Sequence, residues 1–250
     1  MADELIDAVG GFRGVTLDEL DERASLLRRV DSKYSMSRER FLELLERLRA
    51  DHDVLDIDGR RIFSYRTTYF DTPELRCFTD HVDDRYPRFK ARTRVYVDSD
   101  GCVFEVKLKP GPDETDKRQI DYPARDADRF TESARDCLKE ALGDAGLQAP
   151  DRMVPTLRTA FRRMTFAGRD TPERLTCDVE VRLSNPDGGE ATMRAGLVLV
   201  ETKTEEGDSS AARALVDVGA EEISLSKYRV GMSLVGRAGD SPQPGSELFG

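Results

Sequence analysis

The chain of 250 residues carries a formal net charge of −10, with 38% hydrophobic and 35% charged residues. That length accommodates one large domain or two small ones around a sizeable core. The acidic balance speaks against a general binder of nucleic acid or of an acidic membrane surface, either of which asks for a basic face overall.

Thr16-Leu17-Asp18-Glu19 has the pattern of a capping box and predicts a short amphipathic helix to about Arg29. Val30 to Met36 reads as a strand. Ser37 then caps a helix with Phe41, Leu44, Leu45 and Leu48 on one face. His52, just past that helix, is expected in a loop. Arg61 to Phe70 is rich in β-branched and aromatic residues and reads as a strand stopped by Asp71-Thr72-Pro73. A short segment containing Tyr86 leads into the next element.

That element, Arg88 to Lys109 (RFKARTRVYVDSDGCVFEVKLK), is the most informative stretch. With a period of two, Arg88, Lys90, Arg92 and Arg94 share one face, and Phe89, Ala91, Thr93 and Val95 the other. After the turn residues Asp98 to Gly101, Glu105, Lys107 and Lys109 form a polar set, with Phe104, Val106 and Leu108 opposite. Folded as a hairpin about Ser99-Asp100, Arg94 lies opposite Glu105 and Arg92 opposite Lys107. A solvated outer face over a core is one reading. Solvated faces mix their signs, however, and like charges opposed on a sheet repel. The nearly uniform positive sign favours a polyanion on that face.

Pro110-Gly111-Pro112 ends the second strand, Asp113 to Arg118 is a charged loop, and Gln119 to Tyr122 is a further strand candidate. A helix is expected over Phe130 to Leu142, stopped by Gly143. Pro155 to Phe166 reads as a strand with Arg158, Arg162 and Arg163. Leu175 to Leu183 alternates, with Asp178, Glu180 and Arg182 on one face. Asn185 to Gly189 is a turn, and Leu197 to Thr204 puts Glu201 and Lys203 on one face. Ser209 or Ser210 caps a helix to about Val218. Ser224 to Tyr228 and a last short helix follow. Residues 1–236 read as a single domain. The Gly/Pro/Ser-rich stretch 237–250 reads as a disordered tail.

The pattern is α+β, with about eight strands in hairpin order and helices between them. Either an open sheet with an ionic face to water or a closed barrel lined by the ions fits; a closed barrel of about eight strands holds one small ligand. The lining would contain Arg88, Lys90, Arg92, Arg94, Lys107, Lys109, Arg158 and Arg163, with the acids Glu105, Asp178, Glu180 and Glu201. Arginine forks match phosphate oxygens in pairs and lysine adds point charge, which suits a chain of phosphates. The acids either pair with neighbouring arginines or hold Mg²⁺ or Mn²⁺ together with phosphate oxygens.

Other chemistries lack their residues. The two histidines, His52 and His81, stand in no pattern with Cys or Ser that suggests a triad, and no GxxxxGK[ST] or GxGxxG stretch occurs. Cys77, Cys102, Cys137 and Cys177 are scattered without a CxxC pair and are expected to be reduced thiols in a cytoplasm. The opening MADELIDAVGG has no apolar signal core, and no run approaches the roughly 18 apolar residues of a membrane span, so no membrane insertion is expected.

The order Ser32-Lys33-Tyr34, Thr68-Tyr69-Phe70-Asp71, Arg92-Thr93-Arg94-Val95-Tyr96 and Glu105-Val106-Lys107 resembles the VTC domain. So do the later pieces Arg158-Thr159-Ala160-Phe161-Arg162-Arg163, Val200-Glu201-Thr202-Lys203 and Ser226-Lys227-Tyr228. The VTC domain is the catalytic domain of polyphosphate polymerases, a branch of the triphosphate tunnel (CYTH-like) enzymes. The resemblance implies a mostly antiparallel tunnel barrel with flanking helices that binds ATP or another triphosphate, a polyphosphate chain and a divalent metal, Mn²⁺ or Mg²⁺. By motif, Arg92 and Arg94 resemble the paired tunnel arginines and Lys107 the lysine of the E-x-K strand. Lys33 resembles the lysine of the early K-Y strand, Lys117 a basic loop residue and Arg174 the next basic position. Arg163 or Arg158 matches the arginine of the R-T-x-Y/F-x-R strand, with Arg163 favoured. Glu201 resembles the metal-binding glutamate, and Ser226 and Lys227 the S-K-Y/F pair. The polymerases carry a lysine two residues before that serine, where this chain has Ser224. The E-x-E-x-K strand of the triphosphatase branch is also absent, since Asp31-Ser32-Lys33 has one acid. A polymerase is expected first, with Arg92, Arg94, Lys107 and Arg163 at the reacting phosphates, Glu201 on the metal, and Lys33, Arg88, Lys90, Glu105, Lys109, Lys117, Arg158, Arg174, Lys203, Ser226 and Lys227 along the substrate. A triphosphatase in the same tunnel and a non-catalytic polyphosphate or nucleotide sensor are the alternatives.

Overall fold

A computed structural model describes residues 2–23, 30–112, 114–205, 209–235 and 242–250. Among them the chain forms seven α-helices and twelve strands, an α+β fold. Eight strands have six residues or more: β2 (Val30–Ser37), β4 (Phe63–Asp71), β5 (Arg88–Tyr96), β6 (Gly101–Lys109), β7 (Asp116–Asp121), β8 (Val154–Gly168), β9 (Glu173–Ser184) and β11 (Leu197–Thr204). These are the strands that alternation and β-propensity pick out, except that β7 begins at Asp116: Asp116, Lys117 and Arg118, expected in a charged loop, are strand residues paired with β6. Four short ones, β1 (Gly14–Val15), β3 (His52–Leu55), β10 (Glu190–Thr192) and β12 (Glu221–Glu222), add to them. The residues form two compact units, the chain dividing within β8 and β9.

The first unit takes Met1–Phe63, Phe161–Val181 and Met193–Ser224. Its strands run in the order β12-β2-β11-β9-β8, with β3 on β8 and β1 beside β3. Period two turns Tyr34, Met36, Leu175, Cys177, Val198 and Val200 to one side, where they are buried. Helix α3 (Arg38–Leu48) covers them with Phe41, Leu44, Leu45 and Leu48. Each such side chain, fully buried, contributes roughly 1.5–3 kcal/mol. Ser37 caps α3 by accepting from the Arg40 amide. Ser209 does the same at α6 (Ser210–Asp217). The capping box forms at α2 (Leu17–Arg23), where Glu19 accepts from the Thr16 amide at 2.9 Å; its expected continuation to Arg29 lies outside the described residues. Helix α1 (Ala2–Gly10) was not expected; Leu5 and Val9 bury one of its faces. His52 is not in a loop. It opens β3 fully buried, with Nδ1 2.6 Å from Asp51 and Nε2 3.2 Å from Glu173.

The second unit takes Ser64–Ala160, Arg182–Thr192 and Leu225–Gly250. Its strands run β8-β4-β5-β6-β7, with β10 on β9. Phe89, Ala91, Thr93 and Val95 of β5 and Phe104, Val106 and Leu108 of β6 are buried as their alternation requires. The Phe104 ring meets Phe70, Tyr122 and Phe130 at centroid distances of 6.3, 5.8 and 5.9 Å. Helix α5 (Glu132–Gly143), capped by Thr131, buries Leu138 and Leu142. Helix α4 (Arg76–Val82) was missed in the sequence because no side chain next to it caps it. Its first amides are satisfied at the end of β4 and just after it: Thr72 Oγ1 accepts from the Arg76 amide at 3.2 Å, and Asp71 from the Cys77 and Phe78 amides at 2.8 and 3.0 Å. Tyr228 on α7 (Lys227–Leu234) donates to the same buried carboxylate at 2.6 Å. Residues 242–250, expected in a disordered tail, form a short 3-10 turn with Ser246 and Phe249 buried; the Gly250 backbone pairs with Thr192.

The hairpin register differs from the expected one. Tyr96 pairs with Gly101, which places Arg92 opposite Glu105, Lys90 opposite Lys107 and Arg88 opposite Lys109. The loop is Val97 to Asp100, and Asp100, not Gly101, takes the left-handed conformation at φ 53°. Aspartate tolerates that region, and the chain turns one residue earlier than a hairpin about Ser99-Asp100 would.

Candidate functional site

In the second unit the polar faces of β5, β6 and β7 meet in register. Lys90 stands opposite Lys107, and Lys107 opposite Lys117. Three lysines therefore lie side by side across three strands, where directly opposed like charges destabilise the pairing. One step along, Arg92 stands opposite Glu105 and Glu105 opposite Gln119. Glu105 is 2% exposed, and three cations meet at its carboxylate: Arg92 Nε at 2.7 Å, Arg94 Nη2 at 3.7 Å and Lys117 Nζ at 2.6 Å. Burial raises its pKa, but the two arginines and Lys117 outweigh that and hold it at about 2. Positive charge on this face exceeds negative, and Lys107 is exposed.

Tyrosines, which the sequence reading passed over, support these cations. The Arg88, Lys90, Arg92 and Arg94 charges lie 4.3, 5.7, 5.9 and 6.0 Å from the rings of Tyr86, Tyr228, Tyr69 and Tyr65. A ring face attracts a cation without adding negative charge. Tyr69 is further fixed as the partner of Arg92 Nη1 at 3.3 Å. The signal was present in β4, since Tyr65 and Tyr69 fall on the side that pairs with Tyr96 and Arg92.

Arg88 is buried against Asp84, and Lys109 donates to the Pro112 carbonyl at 2.8 Å. Ser226 caps α7, putting Lys227 in its first turn, and Lys90 Nζ lies 3.3 Å from Ser226 Oγ. Arg158 stands apart from this group. It binds Asp128 at 2.9 Å, and Asp128 also accepts from Thr68, which pairs with Thr93 on the side of β5 away from Arg92.

In the first unit Lys33 stands opposite Glu201, Glu201 opposite Thr176, and Lys203 opposite Arg174. Glu201 is half-buried with Lys203 Nζ at 2.8 Å. Burial again raises its pKa, and Lys203, Arg163 and Lys33 more than reverse that, holding it at about 2. Arg163 grips Asp178 with both Nε and Nη2, at 2.6 and 2.8 Å, so Asp178 is an arginine partner. Arg174 is engaged by Asp21 at 2.8 Å. Glu180 departs from the expected face: it has φ 55°, its side chain is 57% exposed, and Arg162 lies 3.5 Å away.

No group of three or more His, Cys, Asp and Glu stands together as a metal cage among the described residues. The donors do fit an ion of the magnesium kind, which takes one or two carboxylates and fills its shell with water and phosphate oxygens. Glu201 supplies a charged carboxylate. The Thr176 hydroxyl opposite it is buried without a hydrogen-bond partner.

The ionic sheet faces and flanking helices are those of the triphosphate-tunnel class. The structure is similar to a proposed adenylyl cyclase from Hippeastrum described as having a dominant triphosphatase activity, with TM-score 0.53 and 15% identity over 82% of this chain and 95% of that one. It is also similar to a proposed adenylate cyclase from Bacillus halodurans, with TM-score 0.52 and 16% identity over 80% and 94%. These likenesses define the fold. The model of the VTC domain family matches residues 28–235, and the chain belongs to that family. No curated protein matches it in sequence. Triphosphate tunnel proteins generally use divalent metal ions. Among the described residues no helix is long and apolar enough to cross a membrane.

Proposed function

We propose that the chain is a metal-dependent phosphotransferase that lengthens polyphosphate from ATP. The row Lys90–Lys107–Lys117 carries this reading. A sheet that sets three lysines side by side, next to two arginines sharing one carboxylate, is suited to a string of phosphates. Arg92, Arg94 and Lys107 hold the transferring phosphates, and in the first unit Arg163 offers an arginine fork of its own. The side chains that these forks rest on, Glu105, Asp178 and Tyr69, fix their aim before substrate arrives. Lys33, Arg88, Lys90, Lys109, Lys117, Arg174, Lys203, Ser226 and Lys227 serve binding. Arg158 is left with a structural role at Asp128. Glu201 would hold the divalent ion, Mn²⁺ or Mg²⁺, which would supply charge neutralisation when bound. Phosphoryl transfer needs little covalent help from the protein, so alignment and electrostatics account for the catalysis.

Incubation with ATP and Mn²⁺ tests the proposal: ADP together with long-chain phosphate is expected. Release of orthophosphate alone supports the second reading, a triphosphatase. That reading is favoured by the activity described for the Hippeastrum protein, whereas exposed Ser224, where polymerases of the resembled family carry a lysine, favours a non-catalytic sensor. Tight polyphosphate binding that survives Glu201→Ala, without turnover of any triphosphate, would make the chain a sensor.

A further inference from the structure

His81 is a residue that neither motif nor family likeness picked out. It lies near the end of α4, and its Nε2 is 3.0 Å from Lys90 Nζ. That ammonium is also 3.3 Å from Ser226 Oγ and 5.7 Å from the centre of the Tyr228 ring. An ammonium has only protons to give, so the imidazole must accept through Nε2 and must be neutral. The surroundings enforce this. Burial, then Lys90, Arg88, Arg229 and Lys109 in turn, push the His81 pKa down to about 2.

We propose that His81 is a positioning residue for substrate phosphate. It holds the Lys90 ammonium against the capped start of α7 without neutralising it. A carboxylate at this place would hold Lys90 equally well but cancel its charge; a neutral acceptor fixes the direction without cancelling it. The inference rests on the phosphate-binding reading of the β5–β7 face, and it adds α4 to the elements that shape that face.

The test is titration of tripolyphosphate into the full chain, its His81→Leu and His81→Gln variants, Lys90→Met, and the double variant His81→Leu/Lys90→Met. Glutamine keeps a neutral acceptor, so binding within about twofold of wild type is expected; leucine removes it, and roughly tenfold weaker binding is expected, the worth of one hydrogen bond to a charged group. In the Lys90→Met background the leucine substitution should have no further effect, which a merely structural role would not produce. Equal binding by the leucine and wild-type proteins overturns the proposal, as does an undiminished leucine effect without Lys90. If the leucine variant does not fold, loss of binding in His81→Gln overturns it. If the wild type binds no tripolyphosphate, the function proposed above has failed, and the nitrogen-15 resonance of the Lys90 ammonium decides the pairing alone. A hydrogen-bonded, slowly exchanging ammonium that survives His81→Gln supports it, and a freely exchanging one in the wild type overturns it.

Discussion

Glu105→Gln gives the sharpest forecast. The substitution keeps the shape of the side chain and removes one charge at a position 2% exposed, between Arg92 at 2.7 Å and Lys117 at 2.6 Å, with Arg94 at 3.7 Å. Its folded pKa is about 2 against an ordinary 4.5. At 1.36 kcal/mol per unit, that difference is worth roughly 3 kcal/mol. The range is consistent with the cost of breaking one partner of a buried pair, about 3–5 kcal/mol. The folded pKa is depressed, so the stabilisation is fully present above pH 4.5 and is lost as pH falls towards 2. Urea unfolding of wild type and Glu105→Gln should therefore differ by roughly 3 kcal/mol at pH 7 and by about 1 kcal/mol at pH 3, with similar slopes. A difference below about 1 kcal/mol at pH 7, or one that does not change with pH, would refute the assignment of Glu105 as the anchor of these cations.

Other substitutions probe the supports of the site. Tyr228→Phe deprives the buried Asp71 carboxylate of the donor at 2.6 Å that ties α7 to β4, and should cost about 1–3 kcal/mol in a thermal melt; an unchanged midpoint contradicts this. His52 is opposed by burial but charged by Glu173 and Asp51, so its pKa is raised. Its contribution is thus complete below the ordinary value of 6.5 and fades as pH rises through the folded value. The urea midpoints of wild type and His52→Gln should draw together between pH 6 and pH 9, and a constant gap counts against a charged His52. Ser37→Ala removes the α3 cap and should lower stability by about 1 kcal/mol, readable by the same method.

What the sequence revealed follows from how local each cause is. The alternation of Arg88 to Val95 and of Phe104 to Leu108 is a property of single strands, and every apolar member of both runs is buried. The capping serines 37 and 209 act within one turn and were equally legible. The hairpin register was not, because the chain turns about Asp98-Ser99 rather than Ser99-Asp100, and a run of four turn-forming residues does not by itself fix the centre. Helix α4 escaped notice because the carboxylate that caps it, Asp71, belongs to another element. His52 read as a loop residue because its partner Glu173 is far along the chain. Among the site residues, the charges of β5 and β6 announced themselves by sign. The pairing of Arg158 with Asp128 could not be read, since Arg158 and Arg163 look alike in one arginine-rich strand until the partners of each are known.

The central claim, that the β5–β7 face exists to hold phosphates, is tested most directly by Lys107→Met. Lys107 is exposed and stands in register between Lys90 and Lys117, at the middle of the row. Titration of tripolyphosphate at fixed ionic strength should show binding at least about tenfold weaker in the variant, with a cooperative thermal melt showing that the variant is folded. Undiminished binding in the folded variant would contradict the claim.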